Sequence, residues 1–363
     1  MSILSKQYNK LFPPPASLPQ PGVYHFLREN EQERSRIHLR IDEDGKGTLI
    51  INANRIFHLN PTATWMSFML LSEFQKPEAI HALTKNFKIT RSQALTDYES
   101  FTQQLESLLS PESCPICDLE IETTAPFSAR PSAPYRMDLA ITYRCNNDCA
   151  HCYNARPRNY PEISKEEWFK ILDQLWALGI PHIVFTGGEP TLRPDLPELI
   201  AHAEKNGQIT GLNTNGRRLR NRSFLQSLVD AGLDHVQITF ESHLPEIHDQ
   251  MVQHKGAWDQ TLEGLQNALS TRLYVMTNTT MLANNVEAIP GTLEFLGNLG
   301  VKTIGLNALI YSGHGKTVGT GLPEERLAEL LTQAKEITSR YEQRLIWYTP
   351  TQYCHFDPME LSL

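Results

Sequence analysis

No apolar run in this 363-residue chain approaches the ~18 residues that span a bilayer, and Met1 to Lys10 lack the continuous apolar segment of a secretory signal. The expected location is therefore the cytoplasm, with no membrane partner. Positive charge is also short: 33 Lys plus Arg stand against 41 Asp plus Glu, a formal net charge of -8. No general attraction to nucleic-acid phosphates or anionic lipid is expected. The composition lacks the extremes of a disordered or fibrous chain, with 40% hydrophobic and 20% charged residues. Cysteine is scarce and unevenly spread. Cys114, Cys117, Cys145, Cys149 and Cys152 fall close together, and Cys354 stands alone. A disulfide scaffold of this length would scatter its cysteines, so the clustering points to metal or cluster ligation in a reducing compartment. At roughly 150 residues per domain, two domains are expected, or one large one with an appendage.

Pro13, Pro14, Pro15, Pro19 and Pro21 favour an extended leader over residues 1–22. Three β-prone runs follow: Val23 to Arg28, Arg36 to Ile41, and Thr48 to Ile51 continuing through Arg55 to His58, with turns at Asp44-Gly45 and Asn52-Ala53-Asn54. Asn60 before Pro61 is a helix start, and Met66, Met69 and Leu70 give that helix one buried face. A second helix near Pro77 buries Ile80 and Leu83. A third opens on the capping box Thr90-Arg91-Ser92-Gln93 and repeats apolar residues at Ala94, Tyr98, Phe101, Leu105 and Leu108. Residues 23–109 thus read as a small winged-helix-like α+β domain. DNA binding would be the ordinary use of such a fold, and charge argues against it. Residues 1–110 carry 12 Lys or Arg and 11 Asp or Glu, and the third helix sets Arg91 against Asp97, Glu99 and Glu106.

Residues 110–134 form a Pro- and Ser-rich linker holding Cys114 and Cys117. Six strand-like runs then alternate with amphipathic helices over residues 135–345: Asp138 to Tyr143, His182 to Thr186, Ile209 to Thr214, His235 to Phe240, Tyr274 to Met281 and Lys302 to Leu309. The first helix opens on the capping box Ser164-Lys165-Glu166-Glu167 and stops at Gly179. This alternation predicts an α/β fold with a parallel sheet, open or curled into a partial (β/α)6 barrel. Chemistry is expected at the C-terminal strand ends.

Directly after the first of these strands comes Cys145-Asn146-Asn147-Asp148-Cys149-Ala150-His151-Cys152. Three thiolates on one loop can wrap a single metal centre, and soft sulfur suits zinc or an iron-sulfur cluster. A structural zinc site needs a fourth ligand in a closed tetrahedron. His151 has the spacing, but it would have to fold back onto the same ion. The other solution is a [4Fe-4S] cluster with three irons held by cysteine and one open.

The pattern Cys-x3-Cys-x2-Cys resembles the radical S-adenosylmethionine (SAM) superfamily. The likeness continues through Thr186-Gly187-Gly188-Glu189-Pro190 at the second strand end, Thr214-Asn215-Gly216 at the third, and Thr239 with Glu241 at the fourth. It implies a partial radical SAM barrel with a [4Fe-4S] cluster on Cys145, Cys149 and Cys152. SAM would meet Gly187, Gly188, Glu189 and Pro190, with exposed carbonyls and the carboxylate toward the methionine amino group. Thr214, Asn215, Thr239 and Glu241 would face its carboxylate and ribose, and His151 its adenine. The implied activity is reductive cleavage of SAM to a 5'-deoxyadenosyl radical that abstracts hydrogen from a substrate. The implied electron donor is of the flavodoxin or ferredoxin type. No catalytic acid or base can be singled out.

Phe57-His58-Leu59-Asn60-Pro61-Thr62-Ala63, followed by the three helices, resembles the RiPP recognition element. There a leader peptide adds as a strand to the small sheet and lies against the third helix, which implies a ribosomally made precursor peptide as partner of residues 23–109. Pro350 to Pro358 resembles the entry to the SPASM or twitch extension, so residues 346–363 are read as the start of a truncated extension. An auxiliary cluster using Cys354 is expected only if the chain continues beyond Leu363. Cys114 and Cys117 are half a zinc site, a redox pair or residues of no consequence. Tyr311 to Lys316 lacks Walker spacing and is expected to close the barrel mouth. His243, His248 and His254 default to surface or hydrogen-bonding roles. The leading expectation is a radical SAM maturase of a precursor peptide. The alternatives are a radical SAM step on a small molecule in cofactor or haem maturation, and a metal-stabilised DNA-binding regulator.

Overall fold

The computed structural model describes residues 19–29, 34–52, 55–109, 132–154, 156–352, 354 and 356–357. Most of the Pro-rich leader, the linker cysteines Cys114 and Cys117, and the residues after Asp357 lie outside these. The chain divides into two units, Met1–Tyr135 with Gln174–Pro181 and Arg136–Asp173 with His182–Leu363.

The first unit holds an antiparallel sheet in sequential order: β1 (Gly22–Glu29), β2 (Arg34–Ile41), β3 (Gly47–Ile51) and β4 (Arg55–Leu59). The third β-prone run thus splits into two paired strands. Asn52 turns the chain in the left-handed region at φ 51°, a conformation Asn tolerates, and its Oδ1 accepts the Arg36 N–H at 2.8 Å. Three helices follow: α1 (Pro61–Leu71), α2 (Lys76–Asn86) and α3 (Arg91–Leu109). Asn60 caps α1 by accepting the Ala63 N–H at 2.9 Å. At α3 only half of the capping box forms: Thr90 accepts the Gln93 N–H at 3.2 Å, but the Gln93 amide turns to Asp97 instead. Ile37, Leu39, Leu49 and Ile51 on one sheet face are closed from solvent by Met69, Leu83, Leu105 and Leu108 of the helices. Each such side chain contributes about 2 kcal/mol by leaving water.

The second unit is a parallel sheet whose seven strands pair in chain order: β5 (Arg136–Thr142), β6 (His182–Gly187), β7 (Ile209–Thr214), β8 (His235–Thr239), β9 (Tyr274–Thr280), β10 (Thr303–Asn307) and β11 (Arg344–Trp347). The helices of this half of the chain are α4 (Lys165–Ala177), which is divided between the units at Asp173, α5 (Leu196–Asn206), α6 (Arg222–Asp230), α7 (Pro245–Val252), α8 (Ala257–Leu269), α9 (Ile289–Asn298) and α10 (Glu324–Arg340). The box opening α4 is complete: Ser164 N–H donates to Glu167 Oε2 at 2.9 Å, and Glu167 N–H to Ser164 Oγ at 3.2 Å. The α/β fold is as the alternation of elements requires, with β11 added beyond the six expected strands. Parallel pairing in sequence order brings every C-terminal strand end to one rim. One cavity borders residues of all strands from β5 to β10, which requires the sheet to curl into a partial barrel.

Deeper in the barrel, His182 and His235 meet with their Nε2 atoms 2.8 Å apart. Gly211 on the intervening β7 makes room, because a Cβ there would lie 2.1 Å from the His235 ring. Burial, helped by the positive charge of Arg136, holds His235 down from 6.5 to about 4. The unfolded chain therefore binds more protons between those values, and stability present above pH 6.5 is lost as pH falls through about 4. Replacing His235 with Gln should flatten this part of the melting-temperature profile. A wild-type profile with no slope across that window would contradict the assignment.

Candidate active site

The cavity at the C-terminal strand ends has a volume of about 1080 Å³, and Cys145, Cys149 and Cys152 all border it from the loop after β5. The loop is fixed by its own backbone. Asp148 N–H donates to Val252 O at 3.0 Å and Ala150 N–H to Met251 O at 3.1 Å, tying the loop to the end of α7, while Cys152 N–H closes on Cys149 O at 3.1 Å. Arg158 donates to Cys145 O at 2.9 Å and to Asp148 Oδ1 at 2.7 Å. From the turn at Gly313–Lys316, His314 N–H reaches Cys152 O at 2.9 Å. The Tyr311 to Lys316 segment thus does border the barrel mouth, with Ile310 and His314 on the cavity.

Burial pushes the Cys145 and Cys149 thiols up, and at Cys149 the Glu241 carboxylate and the other two cysteines push in the same direction. Three thiolates around one cavity repel unless a cationic centre sits among them. Among the described residues, no three His, Cys, Asp or Glu side chains gather about a point that could hold a single ion. His151 does not fold back beside the cysteines as a fourth zinc ligand; its Nε2 lies 3.1 Å from Glu241 Oε1. Cysteines spread along one cavity wall suit a polynuclear iron-sulfur group, in which each thiolate takes a different iron.

Gly187 and Gly188 are needed first for packing. Gly188 N–H donates to Thr142 O and Glu189 N–H to Arg144 O, both at 2.7 Å. A Cβ on Gly188 would sit 2.4 Å from Arg144 O, and one on Gly187 would sit 2.1 Å from Thr142 O. The two glycines let the root of the cysteine loop lie directly on the end of β6, and both also border the cavity.

Glu189 differs from expectation. Its carboxylate is 1% exposed and is not among the groups bordering the cavity, and neither is Pro190. Oε1 accepts the Thr191 N–H at 3.1 Å, the Thr191 hydroxyl at 2.6 Å and the Thr214 hydroxyl at 2.7 Å, while Oε2 accepts the Asn215 N–H at 2.8 Å. This carboxylate staples the ends of β6 and β7 and does not face outward as a ligand for a methionine amino group. Pro190 opens the short 3-10 turn Pro190–Leu192 that brings Thr191 back to it.

Glu241 is fully buried, yet it does border the cavity. Its Oε2 accepts the Thr280 N–H at 2.9 Å, and its own N–H donates to His248 Nδ1 at 3.2 Å. Burial alone would pull His151 down; the adjacent Glu241 carboxylate more than offsets this and lifts it above its ordinary value. Thr214, Asn215 and Thr239 also border the cavity, and the Asn215 amide donates to Asn146 Oδ1 at 2.7 Å. His248 is a buried backbone acceptor and His243 bonds Thr292 at 3.1 Å, so both serve the framework.

Sequence reasoning missed a second set of cavity residues. Asn213, Gln237 and Asn278 stand on β7, β8 and β9, with Arg136 and Asp138 on β5. Period-two alternation was the available signal, since Gln237 and Asn278 each lie two residues before the cavity-facing Thr239 and Thr280. Asn278 Oδ1 is buried and has no hydrogen-bond partner among the described residues. Arg136 and Asp138 form a two-bond pair at 2.6 and 2.9 Å.

Replacing Glu189 with Gln would turn an NH2 group toward donors already aimed at it. Unfolding in denaturant without cofactors should show a loss of roughly 1–3 kcal/mol. Unchanged stability would contradict the staple role.

Residues 139–296 match the family model described as Radical SAM superfamily. The chain is 34% identical over 207 residues to the Fe-coproporphyrin III synthase of Methanosarcina barkeri, covering 56% of this chain and 51% of that protein. It is also 34% identical over 163 residues to the PqqA peptide cyclase of Bradyrhizobium diazoefficiens, covering 44% and 43%. The chain spans about half the length of the curated relatives it matches. Among solved structures, Streptococcus suis SuiB bound to the precursor peptide SuiA is similar with a TM-score of 0.64 at 14% identity, over 92% of this chain and 74% of that one. Native anSMEcpe with bound AdoMet gives a TM-score of 0.50 at 15% identity, over 58% and 63%. At such identities the structural likeness establishes the fold.

Proposed function

We propose that this chain, whose residues 139–296 match the radical SAM family, is a radical SAM enzyme that modifies a ribosomally made precursor peptide. The observation that carries the reading is the placement of Cys145, Cys149 and Cys152 on one loop bordering the cavity at the strand ends. In this reading the three thiolates hold a [4Fe-4S] cluster with one iron left for SAM. When bound, the reduced cluster supplies one electron for cleavage of SAM to methionine and a 5'-deoxyadenosyl radical, which takes a hydrogen atom from the substrate.

The chain's own residues then have defined tasks. Thr214, Asn215, Thr239 and the Glu241-His151 pair offer polar contacts to SAM from the rim, and Gly187 and Gly188 keep the wall thin beside them. Glu189 and Pro190 act from behind the wall by holding the strand ends. The barrel walls and the turn at Gly313–Lys316 limit the access of water to the site.

Two features support a peptide substrate. The carboxamides of Asn213, Gln237 and Asn278 each carry a donor and an acceptor, which matches the pairing needs of an amide. The small sheet of the first unit ends in edge strands β1 and β4, and an edge strand can take an added peptide strand; we assign residues 23–109 this role. The similarity to an Fe-coproporphyrin III synthase over 207 residues favours a second reading, a small tetrapyrrole substrate in the same cavity.

A one-electron donor of flavodoxin or ferredoxin type and a reducing cytoplasmic location complete the proposal. No helix among the described residues is long and apolar enough to cross a membrane. Cys354 is exposed.

Anaerobic reconstitution should give about four irons per chain and conversion of SAM to 5'-deoxyadenosine that depends on reductant. The Cys149→Ala chain should lose that conversion while still binding a precursor peptide encoded beside its gene. Bound zinc without SAM cleavage would sink the enzyme reading. Turnover of an iron coproporphyrin, but of no peptide, would select the second substrate class.

A further inference from the structure

We infer that Arg217 is the counter-cation of the cysteine-bound group, a positioning residue that braces the Cys145 loop and raises the reduction potential of the cluster held there. The inference rests on the radical SAM reading above.

Arg217 follows the turn at Gly216, whose φ is +75°. The position is tightly set. A Cβ on Gly264 of α8 would lie 2.1 Å from Gly216 O, Thr261 donates to Asn215 O at 3.0 Å, and the Arg217 N–H donates to Asn215 Oδ1 at 3.1 Å. From this anchor the side chain runs inward and is only 7% exposed. Its Nη1 donates to Asn147 Oδ1 at 2.7 Å and to Asn146 O, and its Nε donates to Gln260 Oε1 at 2.8 Å.

All three acceptors are neutral. Arg144, Arg158 and Arg193 nearby each face a carboxylate, namely Glu162, Asp148 and Asp195. Among the described residues Arg217 has no carboxylate at ion-pair distance. A buried cation without a paired anion is strongly unfavourable, so its presence beside the cysteine loop calls for a negative group there. A cluster on three thiolates supplies that negative charge, and Asn146 and Asn147, between the first two cysteines, transmit the brace.

Adding an electron makes the cluster more negative, and a fixed cation favours the more negative state. Cluster potentials respond to net charge and to hydrogen bonding around the sulfurs. Removing the Arg217 charge should therefore make reduction harder.

The test separates charge from bracing in the full chain. Arg217→Gln keeps hydrogen-bonding groups and loses the charge, whereas Arg217→Lys keeps the charge and loses the fork. All three proteins are reconstituted anaerobically, and their midpoint potentials are read by paramagnetic resonance during titration with dithionite, the one-electron source. The expected result is a more negative midpoint for Arg217→Gln and a near wild-type midpoint for Arg217→Lys. Equal midpoints in all three, or a loss in both variants, would reduce Arg217 to a structural brace and overturn the inference. If Arg217→Gln melts like wild type without cofactor but takes up no iron, iron uptake by Arg217→Lys supports the counter-cation role, and failure of both overturns it. A wild-type chain that takes no iron overturns the radical SAM reading itself, and the inference with it.

Discussion

The C-terminal ends of β6 and β7 meet on the carboxylate of Glu189, which is buried and accepts four hydrogen bonds. The rest of the site is built outward from that contact. A buried carboxylate is costly unless its lone pairs are filled, and here donors from Thr191, Thr214 and Asn215 fill them. The filling fixes the turn after β7. From that turn the Asn215 amide reaches Asn146 and the Arg217 guanidinium reaches Asn147, so the loop bearing Cys145, Cys149 and Cys152 is held from the end of a β-strand two positions of the sheet away from its own root on β5. Rigid support of this kind, placed behind the residues that meet a ligand, keeps a reactive group in one geometry.

The cysteine loop, the strand-end polar groups and the capped helices were legible because each has a local signature. Three cysteines on one loop, a Ser with a Glu three residues on, and an Asn before a Pro declare themselves within eight residues. The role of Glu189 was not legible in that way. A carboxylate after two glycines reads equally well as facing a ligand or as folded back on its neighbours, and only the positions of Thr191 and Thr214 decide between them. Thr90 shows the same limit at smaller scale, since its capping partner Gln93 found Asp97 instead. β11 is four residues long, too short to show a period. Arg217 sits in an Arg-rich turn whose sequence shows nothing of which guanidinium is buried. Asn213, Gln237 and Asn278 become a row only when three strands are set side by side.

The two units divide the proposed labour in a physically sensible way. An antiparallel sheet whose edge strands β1 and β4 pair with no further strand among the described residues offers backbone hydrogen bonds, which hold an extended peptide with little regard for its side chains. A barrel with carboxamides and two Arg-Asp pairs bordering its cavity offers a confined polar surface, where a single bond can be selected. Positioning matters in the proposed chemistry because the abstracting radical is reactive enough that the bond held nearest to it sets the outcome. The tetrapyrrole alternative makes a different demand on the same cavity: a large apolar plane with acidic edges needs free cations, and of the arginines bordering it Arg136 and Arg158 are paired with Asp138 and Asp148, while Arg156 has no carboxylate at ion-pair distance among the described residues.

The account stands on one structural claim, that the three cysteines hold a cluster with an iron free to take SAM. Paramagnetic resonance of the reconstituted, dithionite-reduced chain tests it most directly. The account predicts the signal of a reduced [4Fe-4S] cluster whose line shape changes when SAM is added, because SAM becomes a ligand of the open iron. A cluster signal indifferent to SAM, or a chain that binds zinc and gives no signal, would contradict it.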